Sequence, residues 1–276
     1  MLLILSVSPL FAPFVGGWML LITGWRSLFW LQAVAALLTL AVVWWRLPES
    51  HAGSDRRLHP LHVARDYWAI ARDRHFHGYV VPAVLTGAGL YVFLTGWPHV
   101  VIDVHNIAPE YFGFTFVLNG VGLIVFSQAT ARWLQYYPAP PLLMASLAAN
   151  ALIGAGGLWF GMTDWGGIYG LIPWMFLYCS LMGSINPVSA GLTMRHFGHA
   201  AGMASALIGI LQYGGGALAS LAMGLFTART AIPMTALIAG FGISGWITYL
   251  LLRPAEARRS AIREPQSGSK GNCATK

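Results

Sequence analysis

Eight stretches of the chain contain no Asp, Glu, Lys or Arg: residues 1–23, 27–45, 78–97, 111–131, 141–162, 167–192, 200–227 and 232–252. Each is about as long as the 17 to 25 residues that carry a helix across the hydrocarbon core of a bilayer. Inside that core every backbone N–H and C=O must find its partner within the chain. The runs lack the apolar-polar alternation of barrel strands, so they predict helices. The expected class is an all-α membrane protein with about eight transmembrane helices.

Composition supports this class: 57% of residues are hydrophobic and 9% are charged, too little charge to solvate a water-soluble surface on 276 residues. The net charge of +7 could point to a nucleic-acid partner, and the placement of the basic residues decides against it. With both termini in the cytoplasm, the outer connections hold only Arg26 and Arg229 of the 16 Lys and Arg. The other fourteen lie on the inner side, which is the bias that orients membrane proteins and requires no polyanion.

The longest connection, residues 46–77, separates two helices from the six that follow and is the expected domain boundary. This divides the chain into residues 1–45, the central loop 46–77, a six-helix part 78–252 and a basic tail 253–276. The tail is rich in Ser and Gly and is expected to be disordered, touching anionic membrane lipid. Within the loop, Leu61, Ala64, Trp68 and Ala71 form one helical stripe, suiting a helix lying on the inner membrane surface. His59, His62, His75 and His77 lie close together there, but no Cys or carboxylate matches their spacing. They predict a polar interfacial loop, with no metal site and no cofactor. Cys179 in a span and Cys273 in the tail do not suit a structural disulfide. Met1 leads directly into Leu2, Leu3, Ile4 and Leu5 without the charged start of a signal peptide, so it is read as an internal start. Nothing in the sequence bears on oligomeric state.

Polar side chains inside spans are few: Asn119 and Gln128, Asn150, Asn186, and Gln212 with Tyr213. Burial in lipid is costly, so such groups either line a pathway or bond a neighbouring helix. A mostly apolar cavity with scattered amides suits lipophilic cargo, and Asn119, Asn186, Gln212 and Tyr213 are the expected substrate contacts. Glycines at 154, 156, 157, 183, 191, 209 and 214–216 provide small faces for close helix approach. The 214–216 triplet lacks the Lys-Ser/Thr of a phosphate loop, so nucleotide binding is rejected. An enzyme would need nucleophiles, bases or metal ligands held together near the membrane, and the spans offer none.

Several segments resemble one family. Residues 8–17, SPLFAPFVGG, resemble the antiporter motif of the major facilitator superfamily: Pro13, Gly16 and Gly17 match, while Ser8 and Ala12 stand where that motif has glycine. Residues 24–30, the Leu47-Pro48-Glu49 exit, residues 109–113 with Leu118 and Asn119, and residues 199–206 resemble the Bcr/CflA-type drug-efflux branch. The resemblance covers essentially the whole chain and aligns it with helices five to twelve of the fold.

The resemblance implies proton-coupled efflux of small lipophilic or cationic compounds across the bacterial inner membrane. The substrate cavity would be lined by the third, fourth, sixth and seventh spans, and Pro9, Pro13, Gly16 and Gly17 would pack the two halves of the fold. No carboxylate lies within a span, so Asp103 or His99 would have to carry the proton. Helices one to four have no counterpart here, and the chain by itself is not expected to cycle. The alternative expectation is a non-transporting membrane remnant or interaction protein.

Overall fold

A computed structural model of the chain describes Met19 and residues 22–46, 60–105, 109–226 and 230–253. The run 1–23 falls almost wholly outside these residues, as do Pro9, Pro13, Gly16, Gly17, most of the central loop and the basic tail after Arg253. The regular structure among the described residues is helical throughout. The helices are α1 (Trp25–Arg46), α2 (Pro60–Arg72), α3 (Arg74–Pro98), α4 (Pro109–Trp133), α5 (Ala139–Thr163), α6 (Gly167–His196), α7 (Ala201–Gly224) and α8 (Ile232–Leu252). A π-helical turn, His99–Val104, extends α3, and a 3-10 turn, Gly198–Ala200, joins α6 to α7. By length and composition α1, α3 with its π turn, α5, α6, α7 and α8 can each cross a membrane. The 25-residue α4 spans the uncharged run 111–131. The all-α membrane class expected from the sequence is therefore the observed one.

Local sequence sets the helix ends. Asp73 caps α3, its carboxylate accepting from the backbone N–H of His75 at 2.7 Å and of Phe76 at 3.4 Å. Prolines occupy the first turns of α5 and α8, where a missing N–H leaves no bond unmade. The turn from α5 to α6 needs left-handed backbone at Asp164, Gly166 and Gly167, with φ of 49°, 77° and 51°, and glycine supplies two of the three positions.

The chain divides between Arg65 and Asp66 into two compact units. The first contains α1, none of whose side chains is buried. The second contains α3 to α8. There α3 packs against α6, α7 and α8, while α5 sits between α6 and α8 and α4 leans on α6. One apolar core joins Phe93, Trp97 and Val101 of α3 and its π turn to Met175 and Tyr178 of α6, Met223 of α7 and Met234 of α8. A second lies toward the N-terminal end of α3, around Tyr79, Leu143, Leu147, Ile185 and Tyr249.

Hydrogen bonds tie these helices where dispersion alone would leave them free to slide, because lipid is as apolar as the helices are. The Tyr178 hydroxyl donates to Thr86 O at 3.1 Å and Ser189 to Tyr79 O at 2.7 Å, both from α6 to α3. Asn150 of α5 donates to Tyr178 O at 3.2 Å, and Trp174 of α6 to Ile153 O at 2.6 Å. Ser146 and Ser184 share a hydroxyl bond at 2.9 Å.

Only part of the glycine pattern makes interfaces. A Cβ on Gly154 would stand 3.3 Å from Ala239 Cα, one on Gly183 would meet the Leu123 carbonyl of α4, and one on Gly216 would meet the Tyr91 ring. Gly156, Gly191, Gly209 and Gly214 have nothing within 4 Å of such an atom.

The helix expected near residue 61 is present as α2, and the side chain it packs inward lies outside the stripe expected on the membrane surface. Trp68 is 60% exposed, with the Arg72 guanidinium 5.0 Å above its ring. Ile70 is the buried residue, packed with Phe76, Val80, Phe197 and Ala204. The chain turns at Asp73 directly into α3, and this brings the Ile70 side of α2 onto the junction of α3 with the α6–α7 connection.

Candidate functional site

Contacts within the second unit fix the levels of its helices. Tyr178 on Thr86 and Ser189 on Tyr79 set α6 antiparallel to α3. Val84 beside Gly215 and Ser220 on Tyr91 O set α7 parallel to α3, and Gly122 against Ser180 with Gly183 against Leu123 sets α4 parallel to α6. At about 1.5 Å per residue these registers bring Asn119, Gln212, Tyr213 and Asn186 within about 10 Å of one level along the bundle.

Their environments differ. Asn119 lies on α4 one turn beyond Thr115, whose hydroxyl accepts from Trp97 Nε1 at 2.9 Å. It is 8% exposed, and its Oδ1 is buried with no hydrogen-bond partner among the described residues. An amide oxygen left unpaired in a dry interior costs about 1–3 kcal/mol, so it is the least satisfied of the four groups. Asn186 on α6 and Gln212 on α7 are half-buried. Tyr213 is 70% exposed, while Tyr91 of α3 lies across Gly216, three residues further along α7. The fully buried Asn150, also noted in the sequence, likewise has an Oδ1 without a partner among the described residues, but its Nδ2 ties α5 to α6 and gives it a packing role.

Beyond Pro98 the i→i+5 bonding of the π turn, closed by His105 N on Val100 O at 3.2 Å, brings His99 and Asp103 together. Nδ1 of His99 is 2.7 Å from Oδ2 of Asp103, with side-chain exposures of 33% and 62%. Such π turns are rare and occur frequently at functional sites. The pair stands just past the C-terminal end of α3, one turn beyond the Trp97–Thr115 bond.

Sequence reasoning passed over the hydroxyl seam of α6. Ser180, Ser184, Ser189 and Thr193 are all buried and hydrogen-bonded, and their spacing of four and five residues along one apolar helix was the available signal. The contact between the two histidines His75 and His196 also went unseen. Their rings stack at 4.2 Å, joining the start of α3 to the end of α6. Among the described residues no group of three His, Cys, Asp or Glu could hold a metal ion.

The family model described as the Major Facilitator Superfamily matches residues 1–220. The Bicyclomycin resistance protein homolog of Haemophilus influenzae is 27% identical over 238 residues, 84% of this chain and 58% of that protein. The Uncharacterized MFS-type transporter YdgK of Bacillus subtilis is 26% identical over 252 residues, 90% of this chain and 62% of that protein. The chain thus spans about three fifths of the length of these curated relatives.

Proposed function

We propose that this chain, which belongs to the major facilitator superfamily, works in proton-driven export of small lipophilic or cationic compounds across the bacterial inner membrane. The observation that carries the reading is the alignment of most of the chain with a bicyclomycin resistance homologue. Substrate enters a cavity bordered by α3, α4, α6 and α7. The buried oxygen of Asn119 accepts a hydrogen bond from the cargo, and Asn186, Gln212 and Tyr213 make the flanking contacts. Because the spans carry no fixed charge, the cavity favours cargo that loses little hydration on entry.

The His99–Asp103 pair carries the proton at the outer end, where an imidazole and a carboxylate in contact can hold one between them. Pro9, Pro13, Gly16 and Gly17 pack the two halves of the transporter, and both termini face the cytoplasm. The test is accumulation of a fluorescent lipophilic cation in cells, with and without an uncoupler. The chain is expressed alone and together with a polypeptide supplying the first four helices of the fold. The expected result is lowered accumulation that the uncoupler restores and that Asn119→Leu weakens. Unchanged accumulation in both settings overturns the reading.

A further inference from the structure

The inner ends of α4, α5 and α8 contain a feature that export does not use. Trp133 closes α4 and Tyr137 lies in the connection after it; with Pro141, Leu142 and Ala145 from the first turns of α5 they line a cavity of about 640 Å³. The volume falls in the range of about 300–1,000 Å³ typical of ligand sites. Every residue from 131 to 138 is exposed, so the cavity opens away from the bundle core. By the distribution of basic residues it sits at the cytoplasmic edge of the bilayer, the depth that Trp and Tyr favour.

Two arginines lie close to this lining. Arg132 immediately precedes Trp133 and is exposed. Arg253 ends α8 and reaches back to α5, with Nη1 3.8 Å from Met144 Sδ and with a buried Nε that has no hydrogen-bond partner among the described residues. Met144 directly precedes Ala145. The Tyr249 hydroxyl, one turn before Arg253, donates to Pro140 O at 3.0 Å, next to Pro141 of the lining. The ion pairs among the described residues are His99–Asp103 and His196–Asp73, so neither arginine has a carboxylate there. Beside the apolar groove this guanidinium has a buried N–H and no counterion among the described residues, and its planar fork suits phosphate.

We propose that this groove is a binding site for an anionic phospholipid of the cytoplasmic leaflet. One acyl chain lies between Trp133 and Ala145, and the phosphate end lies over the start of α5 between Arg132 and Arg253. A zwitterionic lipid fills the groove equally well but has no net charge to give the arginines, so charge complementarity selects the occupant.

The test reconstitutes the full chain in bilayers containing dibrominated phosphatidylglycerol or dibrominated phosphatidylcholine at equal mole fraction. The readout is the part of the tryptophan quenching that Trp133→Phe removes. Near a bilayer each arginine is worth about fivefold in affinity for anionic lipid, so the glycerol lipid should be preferred about 5- to 25-fold. Arg132→Gln with Arg253→Gln should bring the preference near one. Ala145→Phe, at an exposed position that leaves the core intact, should lower Trp133 quenching by both lipids. Equal quenching by the two lipids in the parent chain overturns the proposal. So does an undiminished preference in the double variant when it remains monodisperse, or unchanged quenching in Ala145→Phe.

Discussion

Gly183→Ala should destabilise the bundle where Gly191→Ala does not, although both glycines lie on α6 and both exchanges favour a helix by about 1 kcal/mol. A Cβ on Gly183 would press on the Leu123 carbonyl oxygen of α4 and come within 3.0 Å of Ser127 N, which are the two ends of one backbone turn. Backbone cannot rotate away as a side-chain tip can. The overpacking cost therefore lies at the upper end of the usual range, about 3 kcal/mol. Set against the gain in propensity, the net loss is about 2 kcal/mol, or about 4–8 °C in melting temperature for a unit of this size. Gly191 has nothing within 4 Å of its added methyl, so the same substitution there should hold or raise the melting temperature. Thermal unfolding of both variants and the parent in one detergent measures the difference. A Gly183→Ala protein that melts at or above the parent would refute the close approach of α4 to α6, and with it the placement of Asn119 beside α6.

Other outcomes are expected. Asn119→Leu should weaken export while leaving the melting temperature unchanged or raised, since it removes a buried oxygen with no partner; a loss above about 2 kcal/mol would show that the amide is structural. Ser189→Ala, which removes the bond to Tyr79 O, should cost about 0.6 kcal/mol by chemical denaturation, the usual worth of such bonds in membranes. Asp103→Asn should abolish the uncoupler-sensitive part of export but preserve substrate binding, measured by fluorescence in detergent; loss of both would place Asp103 in the cargo site instead. In a Cys273→Ser background, Cys179, 2% exposed, should resist maleimide until the protein is denatured.

Much of the site was visible in the sequence as candidate residue types, but little of it as geometry. His99 and Asp103 were named from the sequence as the candidate proton carriers, yet four residues apart in sequence does not say that a π turn after Pro98 will bring them to 2.7 Å. Asn119 and Asn150 look alike in sequence. Both have a buried oxygen without a partner among the described residues, but the Nδ2 of Asn150 holds α5 to α6. On α2 the stripe of Leu61, Ala64, Trp68 and Ala71 fits helical spacing, but that spacing does not say that Ile70, outside the stripe, packs with Phe76 and Phe197; the turn at Asp73 decides that.

The sequence alone determined that the chain is a helical membrane protein. Hydrocarbon excludes charge and forbids unpaired backbone, so eight uncharged runs admit hardly any other structure. Ordered motifs along the chain also carried its kinship with the major facilitator superfamily. Tertiary structure decided which face of each helix meets a neighbour: which glycines are interfaces, which amide bonds across helices, and where a groove opens beside two arginines. Helices that are apolar all round have no polar stripe to mark their outer side, so their packing is set by shape and by a few hydrogen bonds that exist only once the helices are together.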